Sequence, residues 1–243
     1  MYAIACASPI ARLLIWSCLA ILVSPATAEV PASDDTQTAD EIISRMNSVY
    51  ANSHSYQDSG MVKDVFLKTN ETRIAEKPFT TAFIRPDRFR YEFRETPPGR
   101  KERRFVIHQD GKTLRVHWDL PRDANAPTLD RAIAMATGIS SESAITVPGM
   151  LLPKEITWRR AIRFSKPTRI QDERVGNRDC FRIHDQFRYN VVTYWIDKEN
   201  FLLRKIFKEA TFDDFRVEST TTYAPVMNGF VEPSLLTFDQ TGK

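Results

Sequence analysis

The four histidines of this chain are the residues with the clearest potential for metal chemistry. They are His54, His108, His117 and His184. None stands at metal-ligand spacing from another histidine or from a cysteine. His108 and His117 flank an Asp-Gly pair and could face each other across a β-hairpin, where two imidazoles can bind zinc. Side chains on a solvated strand face explain the same pattern, so we favour that interpretation and expect no metal site.

Cys180 and His184 are the pair whose types suggest a nucleophile and a base. In a strand, residues four apart share a face but lie roughly 13 Å apart along it, so these two side chains cannot touch. A buried core cysteine explains Cys180 better. The chain has no Gly-x-Ser-x-Gly, phosphate-loop or dinucleotide-binding motif. We therefore expect no catalytic residue, no enzyme activity and no bound cofactor.

Two clusters of basic residues could contact anionic lipid headgroups or an acidic partner. The first consists of Arg85, Arg88, Arg90, Arg94, Arg100, Lys101, Arg103 and Arg104, and the second of Arg159, Arg160, Arg163, Lys166 and Arg169. In the first cluster, Glu92, Glu95 and Glu102 are interleaved with the arginines and neutralise much of their charge. We expect a solvated strand face of mixed charge there.

The first 28 residues have the features of an export signal. Arg12 precedes an apolar run at 13–23, and Ala26-Thr27-Ala28 forms a small-residue cleavage site. The run is shorter than the roughly 20 apolar residues that a membrane-spanning helix needs. We expect cleavage near Ala28, a disordered leader over 29–38 and a mature chain outside the cytoplasm. A retained N-terminal anchor is the alternative.

After cleavage the mature chain would retain one cysteine, so its stability must come from its core and not from an intrachain disulfide. A chain of this size can bury roughly 70% of its extended surface on folding. No second apolar run follows the first, so we expect no membrane span in the mature chain. Export also disfavours a nucleic-acid partner, and the net charge of +3 does not argue for one.

Hydrophobic periodicity indicates which elements position these residues. Apolar residues at helical spacing predict a helix over Ala39–Asn52, capped by Thr38 or Asp40. Further along the chain the period changes to two, and the alternation over Phe89–Phe93 is typical of a half-buried strand. Asp110-Gly111 lies between two strand-like runs and predicts a hairpin, because glycine accepts the positive φ of a tight turn.

Residues 119–154 interrupt the predicted strands. We expect a helix over Leu129–Ala136 ending at Gly138, a short helical piece over Ser141–Ile145, and then an apolar segment, Val147–Pro153, bracketed by prolines. Strand-like runs resume at Thr168–Arg174, Cys180–Phe187, Val191–Asp197, Phe201–Lys208, Phe215–Tyr223 and Ser234–Phe238. About eleven strands with short connections predict one domain over 39–243, built on an antiparallel sheet in meander order. A sheet of this size curls, and the helices would cover its concave face.

This layout and several local phrases resemble the LolA/LolB/RseB superfamily of bacterial periplasmic proteins, in an uncharacterised LolA-like branch. The phrases are Ser55–Gly60, Phe79–Arg90, Thr146–Leu152 and Tyr194–Lys205. The resemblance implies an unclosed, strongly curved antiparallel half-barrel, with helices plugging the open side over a hydrophobic cavity, and a periplasmic location. The chain differs from LolA in its longer helical insert and lacks the lipidated cysteine of a LolB-type receptor. No lipoprotein-binding arginine of the family can be placed on any one position.

Apolar side chains on the predicted inner face are the candidate ligand-binding residues. They are Phe79, Phe83, Phe89, Tyr91, Phe93, Met150, Leu151 and Leu152. An interior lined by them either leaves a ligand cavity or packs solid. We expect Val147–Pro153 to lie as a lid against the open side of the sheet, over the aromatic face, because its large apolar side chains would otherwise face water.

These observations predict an exported, non-enzymatic binding protein that sequesters or carries an apolar ligand, such as a lipid acyl chain or a lipoprotein, in the concave core. The alternative is an envelope sensor or adaptor that acts through contact with another envelope protein, as RseB-like proteins do. A continuous apolar cavity of several hundred Å³ would favour the carrier, and a filled interior would favour the adaptor.

Overall fold

The computed structural model describes residues 36–119, 126–157, 162–187 and 190–239. The predicted export signal and residues 29–35 of the predicted leader lie outside this part of the chain. The helices are α1 (Ala39–Ala51), α2 (Leu129–Ile139) and α3 (Ser143–Leu151), with a 3₁₀ turn at Pro233–Leu236. The strands are β1 (Ser55–Lys68), β2 (Glu71–Ile84), β3 (Arg88–Glu95), β4 (Arg103–Asp110), β5 (Thr113–Trp118), β6 (Thr168–Val175), β7 (Arg178–Phe187), β8 (Asn190–Asp197), β9 (Leu203–Thr211), β10 (Phe215–Thr222) and β11 (Val226–Met227).

One antiparallel sheet contains all these strands, in the order β5-β4-β3-β2-β1-β10-β9-β8-β7-β6, with β11 also paired to β1. Strands β1–β5 form one meander, which is one half of the sheet, and β6–β10 form the other. The two halves join where β1 pairs with β10. In the described residues β5 and β6 form the two ends of this path and do not pair with each other. The unclosed antiparallel sheet with an N-terminal helix and a helical insert confirms the predicted fold class, which is also the fold that the family resemblance implies.

Helix α1 begins where the sequence predicts, with Thr38 as its N-cap. The Thr38 hydroxyl accepts a hydrogen bond from the Glu41 amide at 3.3 Å, and the Glu41 carboxylate accepts one from the Thr38 amide at 2.8 Å. This capping box satisfies two donors that the helix leaves unpaired. The buried side of α1 carries Ile42, Met46 and Tyr50, so the helix packs on the concave face through one apolar stripe.

The helical insert differs from the prediction at both of its helices. Helix α2 continues through Gly138 to Ile139, because an isolated glycine weakens a helix without obliging it to end. Helix α3 runs through Pro148 to Leu151, beyond the helical piece predicted over Ser141–Ile145 and into the predicted apolar segment. All nine residues of α3 are buried, and this burial outweighs the cost of an internal proline.

The core lies between the concave face of the sheet and the three helices. Phe79, Phe83, Phe89, Tyr91 and Phe93 belong to the same buried cluster as Met150, Leu151 and Leu152. The Tyr91 and Ser143 hydroxyls are 2.7 Å apart, which joins β3 directly to α3. Within the predicted lid segment Val147–Pro153, residues Val147, Met150, Leu151 and Leu152 pack in the same core as the aromatic face, whereas Pro153 is exposed.

Two helix ends meet at Arg85, a member of the first basic cluster. Its guanidinium donates to the carbonyl oxygens of Ala51 at 2.8 Å and Ser53 at 2.9 Å, just at the end of α1. It also donates to the carbonyl of Leu151 at 3.1 Å, at the end of α3. A cation at a helix C-terminus complements the unpaired carbonyls and the helix dipole, so Arg85 stabilises the contact between the two helices.

The middle of the charged outer face of β3 and β4 is buried, which contradicts the expected solvated face there, although Arg88 is exposed. Arg90, Glu92 and Arg104 are each less than 10% exposed. Salt bridges join the Glu92 carboxylate to both arginines. Burial disfavours ionisation of Glu92, but Arg94 and the two buried arginines outweigh it and lower its pKa.

The C-terminal segment 228–239 accounts for this burial. Its backbone carbonyls at Asp239 and Leu236 accept hydrogen bonds from Arg104 at 2.7 Å and from His108 at 2.9 Å. Leu236 also packs with Ala82 on the outer face of the sheet. The predicted strand Ser234–Phe238 is wrong, because this stretch forms the 3₁₀ turn and crosses the outer face without adding a strand to the sheet.

Candidate functional site

An open cleft of about 890 Å³ lies on the concave face, at the end that the helices leave uncovered. Its floor comes from β1, β8, β9 and β10, and its walls come from the α2–α3 turn, from Lys77 and from residues 162–165. The cleft is lined by Asp64, Phe66, Lys77, Gly138, Ser141, Glu142, Thr146, Ile162, Arg163, Phe164, Ser165, Asp185, Asn190, Val192, Tyr194, Ile206, Lys208, Ala210, Val217 and Ser219.

Strand register arranges the floor in rows that run across the four strands. The outer row, farthest from the helices, is Phe66, Val217, Ala210 and Asn190. The middle row is Asp64, Ser219, Lys208 and Val192, and the row nearest the helices ends in Ile206 and Tyr194. Because side chains alternate between the two faces of a strand, these rows give a floor with apolar stripes on either side of a polar one.

The polar row is centred on the buried carboxylate of Asp64. One carboxylate oxygen, Oδ2, accepts hydrogen bonds from Lys77 Nζ at 3.1 Å and from the Ser141 hydroxyl at 2.7 Å. The other, Oδ1, accepts from the Ser219 hydroxyl at 2.7 Å. Three donors thus satisfy a side chain that is 3% exposed. They tie β1, β2 and β10 to the turn between α2 and α3.

The α2–α3 turn that walls the cleft has an unusual backbone. Ser141 and Glu142 have φ values of 52° and 70°, a left-handed conformation that is uncommon for residues other than glycine. The Ser141 hydroxyl is held by Asp64, and the Glu142 carboxylate forms an ion pair with Lys208 on the floor. Contacts to the sheet therefore hold the turn in this conformation over the inner side of the cleft.

The opposite wall, residues 162–165, is fixed by a carboxylate and an aromatic contact. Asp185 accepts hydrogen bonds from the backbone amides of Ser165 and Lys166, both at 2.8 Å. The rings of Phe164 and Tyr194 have centroids 5.0 Å apart. This wall closes the β8 side of the cleft.

A pair of phenylalanines continues the concave face beyond the outer row. In the β9–β10 hairpin, the Phe212 amide donates to the Phe215 carbonyl at 2.9 Å. Their rings are stacked, with centroids 4.5 Å apart, and Phe212 is 50% exposed. An exposed aromatic stack beside an apolar row extends the apolar surface to the rim of the cleft.

Most of the charges in the cleft are already neutralised by one another. The charged lining residues are Asp64, Lys77, Glu142, Arg163, Asp185 and Lys208. Lys77 pairs with Asp64, and Lys208 pairs with Glu142. Arg163 is exposed and forms no ion pair with another residue of the described ranges. Its guanidinium therefore remains available to a ligand.

The eight residues predicted to contact a ligand lie deeper than the cleft. They are Phe79, Phe83, Phe89, Tyr91, Phe93, Met150, Leu151 and Leu152, and each is at most 4% exposed. None is among the residues that line the cleft. Periodicity identifies side chains that leave water, and it does not distinguish a packed core from a cavity wall. The floor residues of β9 and β10 were missed because small and polar side chains alternate there without an aromatic signal.

The candidate metal and nucleophile residues have other partners. His108 pairs across the hairpin with Arg115, and His117 with Val106, so the two histidines are not directly opposed. Burial raises the pKa of the Cys180 thiol to about 11, which disfavours the reactive thiolate. Across the described ranges, no group of three or more His, Cys, Asp or Glu residues could hold a metal ion. Those ranges also contain no helix with the length and apolar character of a membrane span.

A second buried carboxylate, Asp58, lies behind the cleft in the core. It is 5% exposed, and its Oδ1 accepts a hydrogen bond from the Ala224 amide at 2.7 Å. Burial raises its pKa from 3.8 to about 6, although bonds from Ala224 and Tyr56 and the charge of Arg204 act in the opposite direction. The Asp58 carboxyl group therefore gains or loses its proton at a pH slightly below neutral.

Several solved structures are similar to this chain at low sequence identity. A chain of the MucA/MucB complex from Pseudomonas aeruginosa is 10% identical with a TM-score of 0.43, and the match covers 83% of this chain and 61% of that one. A LolA superfamily protein from Nitrosomonas europaea is 10% identical with a TM-score of 0.28, covering 83% and 98%. An outer membrane lipoprotein-sorting protein domain from Vibrio parahaemolyticus is 11% identical with a TM-score of 0.29, covering 80% and 94%.

In each of two MucB structures, this protein spans about three fifths of the length of the chain that it matches. No protein-family model matches the sequence, and no curated protein matches it.

Proposed function

We propose that this protein is an exported binding protein that sequesters or carries an apolar ligand in the open cleft. The observation that carries the proposal is the cleft itself, with about 890 Å³ of space and apolar rows on its floor. A few hundred Å² of apolar ligand surface removed from water would contribute several kcal/mol at about 25 cal/mol per Å², before ordering costs. Sequestration requires no chemical step.

The eight candidate residues of the sequence analysis act in this proposal as the support behind the cleft. Tyr91 contacts Ser143 at the start of α3, and the α2–α3 turn immediately before Ser143 forms the inner wall. A packed core beneath this wall keeps the cleft open in the absence of ligand. The family resemblance supports a lipid acyl chain or a lipoprotein as cargo, and it supports a periplasmic location after cleavage near Ala28.

Matched valine substitutions test whether ligand binds at the cleft floor. Val217 points into the cleft, whereas Val65 on the neighbouring strand points to the opposite face, and both are half-buried. A Val217→Asp substitution puts a carboxylate against the apolar ligand and should weaken binding of a fluorescent fatty-acid analogue at least about tenfold. Val65→Asp should leave that affinity unchanged. Circular dichroism would check that both variants are folded.

Native mass spectrometry and lipid extraction of protein purified from the periplasm provide the second measurement. Co-purifying lipid or lipoprotein supports the proposal. Protein that carries no ligand and also fails to bind fatty acids and lipoproteins would exclude it.

The alternative function is an envelope adaptor that acts through protein contact, and one surface feature favours it. Phe230 is 76% exposed, and Val226 nearby is 45% exposed, so the start of the C-terminal segment presents apolar side chains to solvent. A photocrosslinking amino acid at position 230 should capture a specific envelope protein if the adaptor hypothesis is correct. The same amino acid at position 74, also exposed, is the control.

A further inference from the structure

We propose that the ligand of the cleft is an amphipathic anion whose headgroup binds Arg163 and whose chain crosses the sheet along the outer row. This inference rests on the proposed function and specifies the chemical class of the ligand. The shared chemistry of the headgroup is a carboxylate or a phosphate, either of which a guanidinium binds through charge-assisted hydrogen bonds.

The charged residues that line the cleft indicate where the headgroup would bind. Asp64 and Glu142 already bind the two cleft lysines, so an incoming anion would have to break an ion pair to reach either lysine. The Asp185 carboxylate is bound to the backbone amides of the 162–166 segment. Arg163 has no carboxylate partner in the described part of the chain. An anion at Arg163 therefore adds an interaction without removing one.

The outer row provides a path for the acyl chain that begins on the side of the cleft whose wall carries this arginine. Asn190 ends the row on the β8 side, where residues 162–165 form the wall. From there the row continues through Ala210 and Val217 to Phe66. Three strand spacings of about 4.8 Å make this path about 14 Å long, which suits an extended acyl chain.

The two sides of this path differ in polarity, and this difference defines where the acyl chain of the ligand would lie. On the inner side lies the polar row of Asp64, Ser219 and Lys208. On the outer side lie the stacked rings of Phe212 and Phe215. An acyl chain along the outer row would cover part of this exposed aromatic surface while leaving the Asp64 hydrogen bonds intact.

Isothermal titration calorimetry with three ligands of equal chain length tests the headgroup. The ligands are dodecanoate, dodecyl phosphate and the neutral isostere dodecanamide, and inorganic phosphate is titrated separately. The wild-type protein should bind the better of the two anions about fivefold more tightly than the amide, a preference expected for a partly exposed ion pair. Arg163→Gln should abolish the preference, and Arg163→Lys should retain part of it.

Arg100→Gln is the matched control, because Arg100 is an exposed arginine of the β3–β4 loop that does not line the cleft. It should keep the wild-type preference. Tighter binding of dodecyl phosphate than of dodecanoate would indicate a phospholipid-type ligand, and the reverse order would indicate a free fatty acid.

The possible failures are distinguishable. If all three dodecyl ligands bind equally, or if Arg163→Gln keeps the anion preference, the inference is wrong while the proposed function stands. If no dodecyl ligand binds, the inference is also wrong, and the proposed function fails with it only when the purified protein carries no lipid and binds no lipoprotein. Binding of inorganic phosphate without any dodecyl ligand would overturn the claim that headgroup and chain bind together.

Discussion

At the scale of single residues, the contact between Gly60 and Phe79 shows how closely the aromatic core approaches the backbone. The two residues are paired across β1 and β2, and the Phe79 ring covers the glycine so tightly that a methyl group on Gly60 would lie 2.1 Å from a ring carbon. Phe79 is 3% exposed, so its ring has little space into which it can move. Glycine is required at this position by packing.

We expect Gly60→Ala to lower the free energy of unfolding by about 1–3 kcal/mol through overpacking. Gly138→Ala is the matched control, because nothing lies within 4 Å of the added methyl group and the residue is inside α2. That variant should gain up to about 1 kcal/mol from helix propensity. Urea unfolding of both variants measures the difference, and equal effects would contradict the packing argument.

Asp58 predicts a pH dependence of stability. Its folded pKa of about 6 is higher than the ordinary value of 3.8, so the folded chain binds this proton more tightly than the unfolded chain does. The resulting stabilisation is fully present below about pH 4 and is lost as the pH rises through 6. The loss should be on the order of 2–3 kcal/mol, at about 1.4 kcal/mol per pKa unit.

Urea unfolding at pH 4 and pH 7 checks this prediction in the wild type and in Asp58→Asn. Because other carboxyl groups titrate in the same range, the informative quantity is the difference between the two proteins. The wild type should lose more stability than Asp58→Asn between these pH values. Parallel pH profiles would show that Asp58 does not contribute.

At the scale of elements, the position of α3 distinguishes a movable lid from a core helix. Leu151 is fully buried and does not line the cleft. Leu151→Asp should therefore destabilise the protein by about 3–5 kcal/mol, since it removes a core side chain and buries a charge. The decrease in melting temperature relative to the wild type should be the same with and without a bound fatty acid.

Ile74→Asp provides the comparison, because Ile74 is 54% exposed on β2 and should tolerate the same carboxylate with little effect on melting. If Leu151→Asp weakened fatty-acid binding while melting like the wild type, α3 would be a gate for the ligand.

The elements also show what the sequence can and cannot predict. The cap at Thr38, which was one of two predicted alternatives, the hairpin at Asp110-Gly111 and the strand over Phe89–Phe93 depend on neighbours in the chain, and all three form as predicted. The half-buried character predicted for β3 is wrong, because Phe89–Phe93 are buried on both faces. The burial of Arg104 depends on the C-terminal segment, more than a hundred residues away in sequence. The cleft was missed for the same reason, because Phe66 and Val217 become neighbours only through the pairing of β1 with β10.

At the scale of the whole molecule, the helices divide the concave face into a filled area and an open one. Over β2, β3 and β4 the face is filled by the helices and the aromatic core, and over part of β8, β9 and β10 it remains accessible as the cleft. Tyr194 and Ile206 belong both to the core and to the cleft floor. A cavity and a filled interior are alternatives on the sequence alone, but the structure contains both. If the proposed function is correct, stability and ligand binding depend on largely different parts of one sheet.

The pairing of β1 with β10 has a consequence for how the chain folds. Each half of the sheet closes only short loops, whereas the contact of Lys68 with Phe215 closes a loop containing most of the protein. Loop-closure entropy makes such non-local contacts slow to form. Each meander can therefore assemble early, and the joining of β1 to β10 becomes the late step in folding. Since these two strands form half of the cleft floor, a kinetic intermediate with unjoined halves would have no ligand site, and ligand would bind only after the last barrier is crossed.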